Sequence, residues 1–378
     1  MKEGWEYKKL GEVCRIERGG SPRPIKDFIT NSPDGLNWIK IGDTDPQGKY
    51  IYSTKEKIKP EGLRKSRWVE VDEFLLSNSM SFGRPYILKT NGCIHDGWLV
   101  LRDYQNSLII DYFYYLLISP HVQNQFRTKA QGSTVSNLNT DRVADVNIAF
   151  PPLSEQQSIV DYLDSAFAKI DAMKANAEKN LNEAKALFQA SLKEMLEPKE
   201  GWEEKLLPEI SENLDSIRKP VTKGKRTAGI YPYYGASGIV DYVDDYLFDE
   251  DLLCISEDGA NLLMRTYPIA FPISGKVWVN NHAHVLRFKS IVTQKYVEYC
   301  FSGMKLDEYI TGAAQPKLTQ KALNSIIINL PSTLDEQQSI VATLDSLKSK
   351  VDRLKANYDK ISQECDALKQ SILRQVFE

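Results

Sequence analysis

The sequence predicts an α+β protein: two mixed α/β domains joined by two long helices that form an antiparallel coiled coil, with an internal pseudo-twofold repeat. Three observations carry this expectation. The segment EQQSIV at 155–160 recurs letter for letter at 336–341. Behind each copy, apolar residues return at steps of three and four over about 42 residues, or roughly 63 Å of helix. Each half also opens on a related Gly-Trp segment, GWEYKKLGEV at 4–13 and GWEEKLLPEI at 201–210. The expected division is a first domain at 1–153, a first long helix at 154–198, a second domain at 199–333 and a second long helix at 334–378.

The repeat continues in register, 181 residues apart: Leu163-Asp164-Ser165 matches Leu344-Asp345-Ser346, and Lys174-Ala175-Asn176 matches Lys355-Ala356-Asn357. Two unrelated helices share apolar spacing by chance, but not identities at polar positions. Weaker matches join DEFLLS (72–77) to DEDLLC (249–254), and Gly132 and Leu138 to Gly312 and Leu318.

Each helix has its own warrant. Ser154 followed by Gln157, and Asp335 followed by Gln338, carry the side chains of a capping box. The first seam runs through Ile159, Leu163, Ala166, Ile170, Met173, Ala177, Leu181, Ala184, Phe188 and Met195. The second runs through Ile340, Leu344, Leu347, Val351, Leu354, Tyr358, Ile361, Cys365, Leu368 and Ile372. A heptad seam sustained this long is a coiled-coil pattern. Neither stripe is covered by its own helix, so the two are expected to pack on each other.

The domains read as mixed α and β. Short β-branched and aromatic runs at 38–41, 98–101, 276–279 and 326–328 predict strands, and one helix per domain is expected around 111–127 and 293–310. The prolines of AFPPL at 149–153, and Pro331 in the other half, read as hinges into the helices.

Composition narrows the function. With 48 Lys plus Arg against 51 Asp plus Glu, the formal charge is -3, so bulk charge does not hold this chain on nucleic acid. Five cysteines without a close pair argue against a disulfide framework or a zinc knuckle. The N-terminal segment has no apolar signal core, and the apolar stretch at 108–118 is interrupted by Asp111 and too short to cross a bilayer. A cytoplasmic, membrane-free protein is expected.

Catalytic patterns are missing. Lys223-Gly224-Lys225 lacks the earlier glycine of a nucleotide-binding loop. AFPPL superficially resembles the Pro-Pro signature of amino-methyltransferases, but Phe150 and Leu153 stand where an amide or acid and a stacking aromatic are needed. His282 and His284 would share one face of a strand; a metal would need a third ligand such as Cys254, and partly buried histidines with satisfied bonds explain the pair better. Ser237 in YYGASG reads as a tight glycine turn. No catalytic residue and no metal ligand is expected.

What remains is local positive charge. One run at 55–67 contains Arg64, Lys65 and Arg67; another at 218–226 contains Arg218, Lys219, Lys225 and Arg226. Arg18 and Arg23 in ERGGSPRP, and Arg84 in SFGRPY, place guanidinium groups on loops shaped by glycine and proline. Arginine so presented suits guanine or phosphate, whereas runs of Lys and Arg suit phosphate contacts that set register. These ten residues are the candidate DNA contacts. The alternative for any such run is a solvated face.

The Gly-Trp openings, the PLSEQQ and LDEQQ segments leading into the long helices, and the heptads behind them resemble the specificity (S) subunit of type I restriction-modification systems. The stretches IYPYYGASG (230–238) and GKVWVNNHAH (275–284) are similar to a recognition domain frequent in that family. The resemblance implies two target recognition domains, each reading one half of a split target in double-stranded DNA, at a spacing set by the coiled coil. It implies two methylation (M) subunits and restriction (R) subunits as partners. S-adenosylmethionine, Mg2+ and ATP would sit on those partners, with adenine N6 methylation or cleavage performed there and no cofactor on this chain. Because the two domains differ in sequence, the target would be non-palindromic. Two other readings compete: a self-contained DNA-modifying enzyme, and a coiled-coil scaffold that never touches DNA.

Overall fold

The computed structural model describes residues 3–78, 83–130, 138–312 and 314–378; Gly132, matched above to Gly312, lies outside them. The chain divides into two compact units. One comprises residues 1–176 and 360–378, the other residues 177–359. Each unit thus contains one α/β domain and parts of both long helices, Leu153–Met195 and Leu334–Phe377.

In the first unit, a five-stranded sheet has the order Arg15–Arg18, Trp98–Arg102, Phe74–Ser77, Pro85–Leu88, Tyr50–Ile51. A second five-stranded sheet is built on Leu36–Ile39 and Gly92–Ile94, which pair in parallel through Trp38 and Cys93. The central strands are buried on both faces, which is why WLVL reads as a continuous apolar run. Leu99 and Leu101 face the helices, while Trp98 and Val100 pack against Ile39 and Ile94 of the other sheet.

The second unit repeats this plan with four-stranded sheets. Ser211–Asn213, Ala283–Phe288, Leu252–Ser256 and Ala270–Ile273 form one; Ala228–Gly235 and Lys276–Val279 pair in parallel at the centre of the other. In both units a two-stranded ladder closes the domain, Glu6–Lys9 with Asn147–Phe150 and Glu203–Leu206 with Ile327–Leu330.

The helices run antiparallel. In the first unit, Leu163 shares a core with Leu373 and Phe377, and Asp171 meets Lys369 at 2.5 Å further along. In the second, Leu192 shares a core with Ile340 and Leu344. Leu163, Ile170, Leu181, Ile340 and Leu344 are buried in the seam; Ile159, Leu347, Val351, Leu354, Ile361 and Ile372 are half-buried. Two expected seam positions are corrected: Met173 and Leu368 are 59% and 48% exposed. A straight helix drifts about 20° per heptad against a strict seven-residue repeat, so after Cys365 the buried line passes to Leu373 instead. Lys369 occupies the intervening position, its stem beneath an ammonium 5.2 Å over the Phe167 ring.

The helix starts also differ from expectation. The first begins at Leu153, with the Pro152 carbonyl accepting from the Glu155 and Gln156 amides. The second is capped by Thr333, whose hydroxyl accepts from the Glu336 amide at 3.2 Å. Ser154 and Asp335 therefore lie inside the first turn and are not caps. The helix expected over 111–127 is two, Ile110–Ile118 and Pro120–Ala130, because the residue before a proline is held extended and Ser119 is. The one expected over 293–310 spans Ile291–Gly303.

The repeated polar residues tie domain to helix. Gln156 is buried and donates to the Pro151 carbonyl at 2.9 Å; Gln337, its counterpart, donates to the Pro331 carbonyl at 3.0 Å. Tyr115 donates to Asp164 at 2.5 Å, as Tyr299 does to Asp345 at 2.6 Å. Trp202 of the second Gly-Trp opening donates its indole N–H to Glu336 at 3.0 Å.

Candidate nucleic-acid interface

Arg18 ends the Arg15–Arg18 strand and Arg23 sits in the loop that follows, which is pinned to the turn at 95–97. Gly19 and Gly20 donate to the carbonyls of Trp98 and Ile94. A Cβ on Gly19 would lie 2.1 Å from the His95 carbonyl oxygen, so only glycine permits the approach. Asp96 then organises the side chains. Its carboxylate accepts from Ser21 Oγ at 2.6 Å and from Arg23 Nη2 at 3.3 Å, and its carbonyl accepts from Arg18 Nε at 3.2 Å. The Ser21 bond, helped by Arg23 and opposed by burial, holds the Asp96 carboxyl below its ordinary range, so it is ionised. Arg23 stays 78% exposed.

Beside this loop lies a groove of about 840 Å³, lined by Trp38, His95, Arg23, Lys26, Lys40 and Glu56, with Lys40 and Glu56 paired at 2.6 Å. Burial pushes the His95 imidazole down, so it is neutral at pH 7. Its Nδ1 accepts from the Gly97 amide at 2.9 Å, consistent with that form.

The first basic run separates into two classes. Arg64 and Lys65 end the short helical segment Pro60–Lys65 with exposed side chains and no ion pair among the described residues. Arg67 is instead a tether, bonded to Glu17 at 2.9 Å and to the Arg18 carbonyl at 2.8 Å. Arg84 is half-buried, with its guanidinium 5.4 Å over the Tyr86 ring.

In the second unit, two expected DNA contacts are corrected. Arg218 is 11% exposed and bonded to Asp215, Glu257 and the Ala283 carbonyl, at 3.1, 2.7 and 2.7 Å. Arg226 is 16% exposed, pairs with Asp241 at 2.9 Å and lies 4.2 Å over the Tyr233 ring. Glu257 and Asp241 are remote in sequence from the arginines they hold, although Asp215 lies only three residues before Arg218. Lys219 and Lys225 are exposed and carry no ion pair among the described residues. Lys219 also accepts the Trp278 indole N–H on its carbonyl, at 2.7 Å.

The histidines part company. His284 is buried, with Nδ1 2.5 Å from Asp215 and Nε2 2.8 Å from the Leu318 carbonyl. His282 precedes the strand, is exposed, and bonds Asp258 at 2.8 Å through Nδ1. They do not share a face. Ligand atoms of Asp215, Glu257 and His284 lie within 4.8 Å of one another, a spacing compatible with a metal ion. The Arg218 guanidinium already bonds both carboxylates, and Lys317 reaches Glu257 at 3.1 Å, so the positive charge is supplied by the protein itself. Cys254 is buried in a strand and takes no part.

Sequence reasoning missed Asp96, Asp258 and the exposed hairpin Ala228–Gly235/Gly238–Val243, which carries Ile230, Val240 and Tyr242 outward. The acidic residues gave no signal, because a single Asp in a turn is ordinary.

A family model described as the type I restriction modification DNA specificity domain matches residues 2–183 and again 199–363. The chain belongs to this family. Each specificity-domain match takes in one α/β domain and most of the long helix that follows it. A type I restriction enzyme specificity subunit assigned to Haemophilus influenzae is 36% identical over 157 residues, which span 41% of this chain and 40% of that relative. The EcoprrI specificity subunit of Escherichia coli is 22% identical over 359 residues, 90% of this chain and 86% of the relative. Among solved structures, a chain from work on complex assembly and conformational transition of the type I R-M system superposes with a TM-score of 0.77 at 18% identity, covering 99% of this chain and 97% of that one. The HsdS subunit of Thermoanaerobacter tengcongensis gives 0.59 at 20% identity, covering 100% and 97%. These two likenesses establish the specificity-subunit fold. Among the described residues, no helix is long and apolar enough to cross a membrane.

Proposed function

We propose that this chain is the DNA-reading, non-catalytic subunit of a type I restriction-modification complex. Each domain reads one half of a split target in double-stranded DNA, and the paired helices set the spacing. Two methylation subunits and restriction subunits would assemble on it in the cytoplasm. S-adenosylmethionine, Mg2+ and ATP would be used on those partners, for adenine N6 methylation or for cleavage.

One observation carries the reading: two domains of the same plan are tied to the helix pair by the same Gln and Tyr–Asp bonds, yet present different side chains outward. The first offers Arg18 and Arg23 around Asp96, the second His282 on Asp258. Identical mounting with unlike surfaces suits two readers of unlike half-sites, and so a non-palindromic target. Exposed Arg64, Lys65, Lys219 and Lys225 would hold phosphates, which position the protein without carrying sequence information.

Long-read methylation sequencing of host DNA with and without this gene tests the proposal. A split adenine-methylated motif is expected to vanish on deletion and return on complementation. Methylation by the purified chain alone would instead favour a self-contained enzyme, and unchanged methylation on deletion a scaffold without DNA contact.

A further inference from the structure

We infer that Arg18 and Arg23 are base-reading residues of the first recognition domain, each taking the O6/N7 edge of a guanine in the major groove, with Asp96 as the residue that positions both. This rests on the reading of the chain as a DNA-recognition subunit.

To discriminate between bases, an arginine must meet two acceptors of one base edge at once. Bidentate contact with guanine requires a guanidinium plane fixed in advance; a freely rotating side chain loses affinity to ordering. Asp96 fixes two of them at once, Arg23 through Nη2 and Arg18 through Nε, and is itself fixed by Ser21 Oγ and by Asn78, which donates to its carbonyl at 2.8 Å. The terminal nitrogens of Arg18 carry no partner among the described residues, and Arg23 projects into solvent. The backbone beneath is equally constrained, since Gly19 and Gly20 abut His95 and Lys65 too closely for any side chain.

The same carboxylate selects the ligand. An ionised group 3.3 Å from the Arg23 guanidinium repels a phosphate, but imposes no such cost on the neutral acceptors of a guanine edge. Arg64 and Lys65, with no carboxylate paired to them, suit phosphate instead. The Lys65 carbonyl lies 2.7 Å from a Cβ built on Gly20, so phosphate holders flank the readers. The second domain shows the contrast. There the arginine Arg218 is enclosed by Asp215 and Glu257 and has no free edge to offer.

The test uses the chain co-produced with its own methylation subunits, with the methylated motif read by long-read sequencing. Arg23→Ala and Arg18→Ala should each lower the preference at one guanine of a single half-site by about 5- to 150-fold, leaving the other half-site intact. Asp96→Asn, which keeps the side chain's size but removes its charge, should broaden those same positions. A double Arg64→Ala, Lys65→Ala variant should lower methylation at all sites alike without changing the consensus. The inference is overturned if Arg23→Ala and Asp96→Asn leave the consensus unchanged, whether methylation falls uniformly or not at all. The intact second half-site controls for folding, because a merely unfolded first domain would abolish the motif instead of broadening one position. A wild-type assembly that methylates no split motif would reject the recognition-subunit reading itself, and this inference with it.

Discussion

Gln156 and Gln337 occupy the same place in the two halves, each buried and each donating its amide to the carbonyl of a proline just before its helix. This explains a polar identity that apolar packing alone would not require. Gln156 also donates to the Ser107 carbonyl at 2.8 Å and accepts from the Ile109 amide at 2.9 Å.

Removing that side chain leaves buried backbone groups without partners. Gln156→Ala should destabilise the first unit by about 1–3 kcal/mol for each group stranded. Urea denaturation monitored by tryptophan fluorescence should show the corresponding fall in midpoint. Gln156→Glu should not rescue it, since a carboxylate cannot donate to the Pro151 and Ser107 carbonyls.

The displaced seam makes a paired prediction. Leu373 is fully buried in the first core, so Leu373→Ala should cost about 2–5 kcal/mol. Leu368, although it keeps the heptad step, is 48% exposed, and Leu368→Ala should change stability by no more than about 0.5 kcal/mol. Thermal melts of the two variants should separate clearly.

The Asp215, Glu257, His284 and Arg218 cluster predicts acid sensitivity in the second unit. Burial is the largest influence on both carboxyls and acts to raise them, but bonds from His284 to Asp215 and from Arg218 to Glu257 outweigh it, holding both below their ordinary ranges. A folded value below the unfolded one gives stability that is complete above the unfolded values of about 3.9 and 4.3, and lost as pH falls through the lowered ones. Arg218→Met should cost about 3–5 kcal/mol by leaving buried carboxylates uncompensated. It should also move acid unfolding to higher pH, as followed by circular dichroism.

Salt dependence should distinguish phosphate holders from tethers. Arg64→Ala with Lys65→Ala should weaken DNA binding by the assembled complex. It should also reduce the slope of log affinity against log salt by about 0.9 for each phosphate no longer neutralised. Arg226→Ala, which breaks the pair with Asp241, should leave that slope unchanged and act only on stability.

Much of the fold was legible because it is written twice. The EQQ and LD identities marked the helices, and the continuous apolar run WLVL marked a strand buried on both sides. The DEFLLS and DEDLLC match has a physical basis as well. Glu73 holds Arg102 at 3.0 Å and Glu250 holds Arg287 at 2.6 Å, clamping an arginine on the strand beside it in each half. The errors came where long-range partners decide the outcome. Nothing local to Arg218 or Arg226 announces Glu257 or Asp241, and nothing local to Leu368 shows that the seam has drifted past it. Asp96 was invisible for the same reason, since its importance lies in the Ser21–Arg23 loop that folds onto it from 73 residues away.

The most direct measurement exchanges one reader. Residues 211–326 are replaced by the corresponding segment of a relative, keeping both helices and the Gln337 and Asp345 anchors, and the methylated motif is sequenced. One half of the motif is expected to change while the other half and the gap stay as they were. A motif altered in both halves would contradict this, as would one unaltered in either.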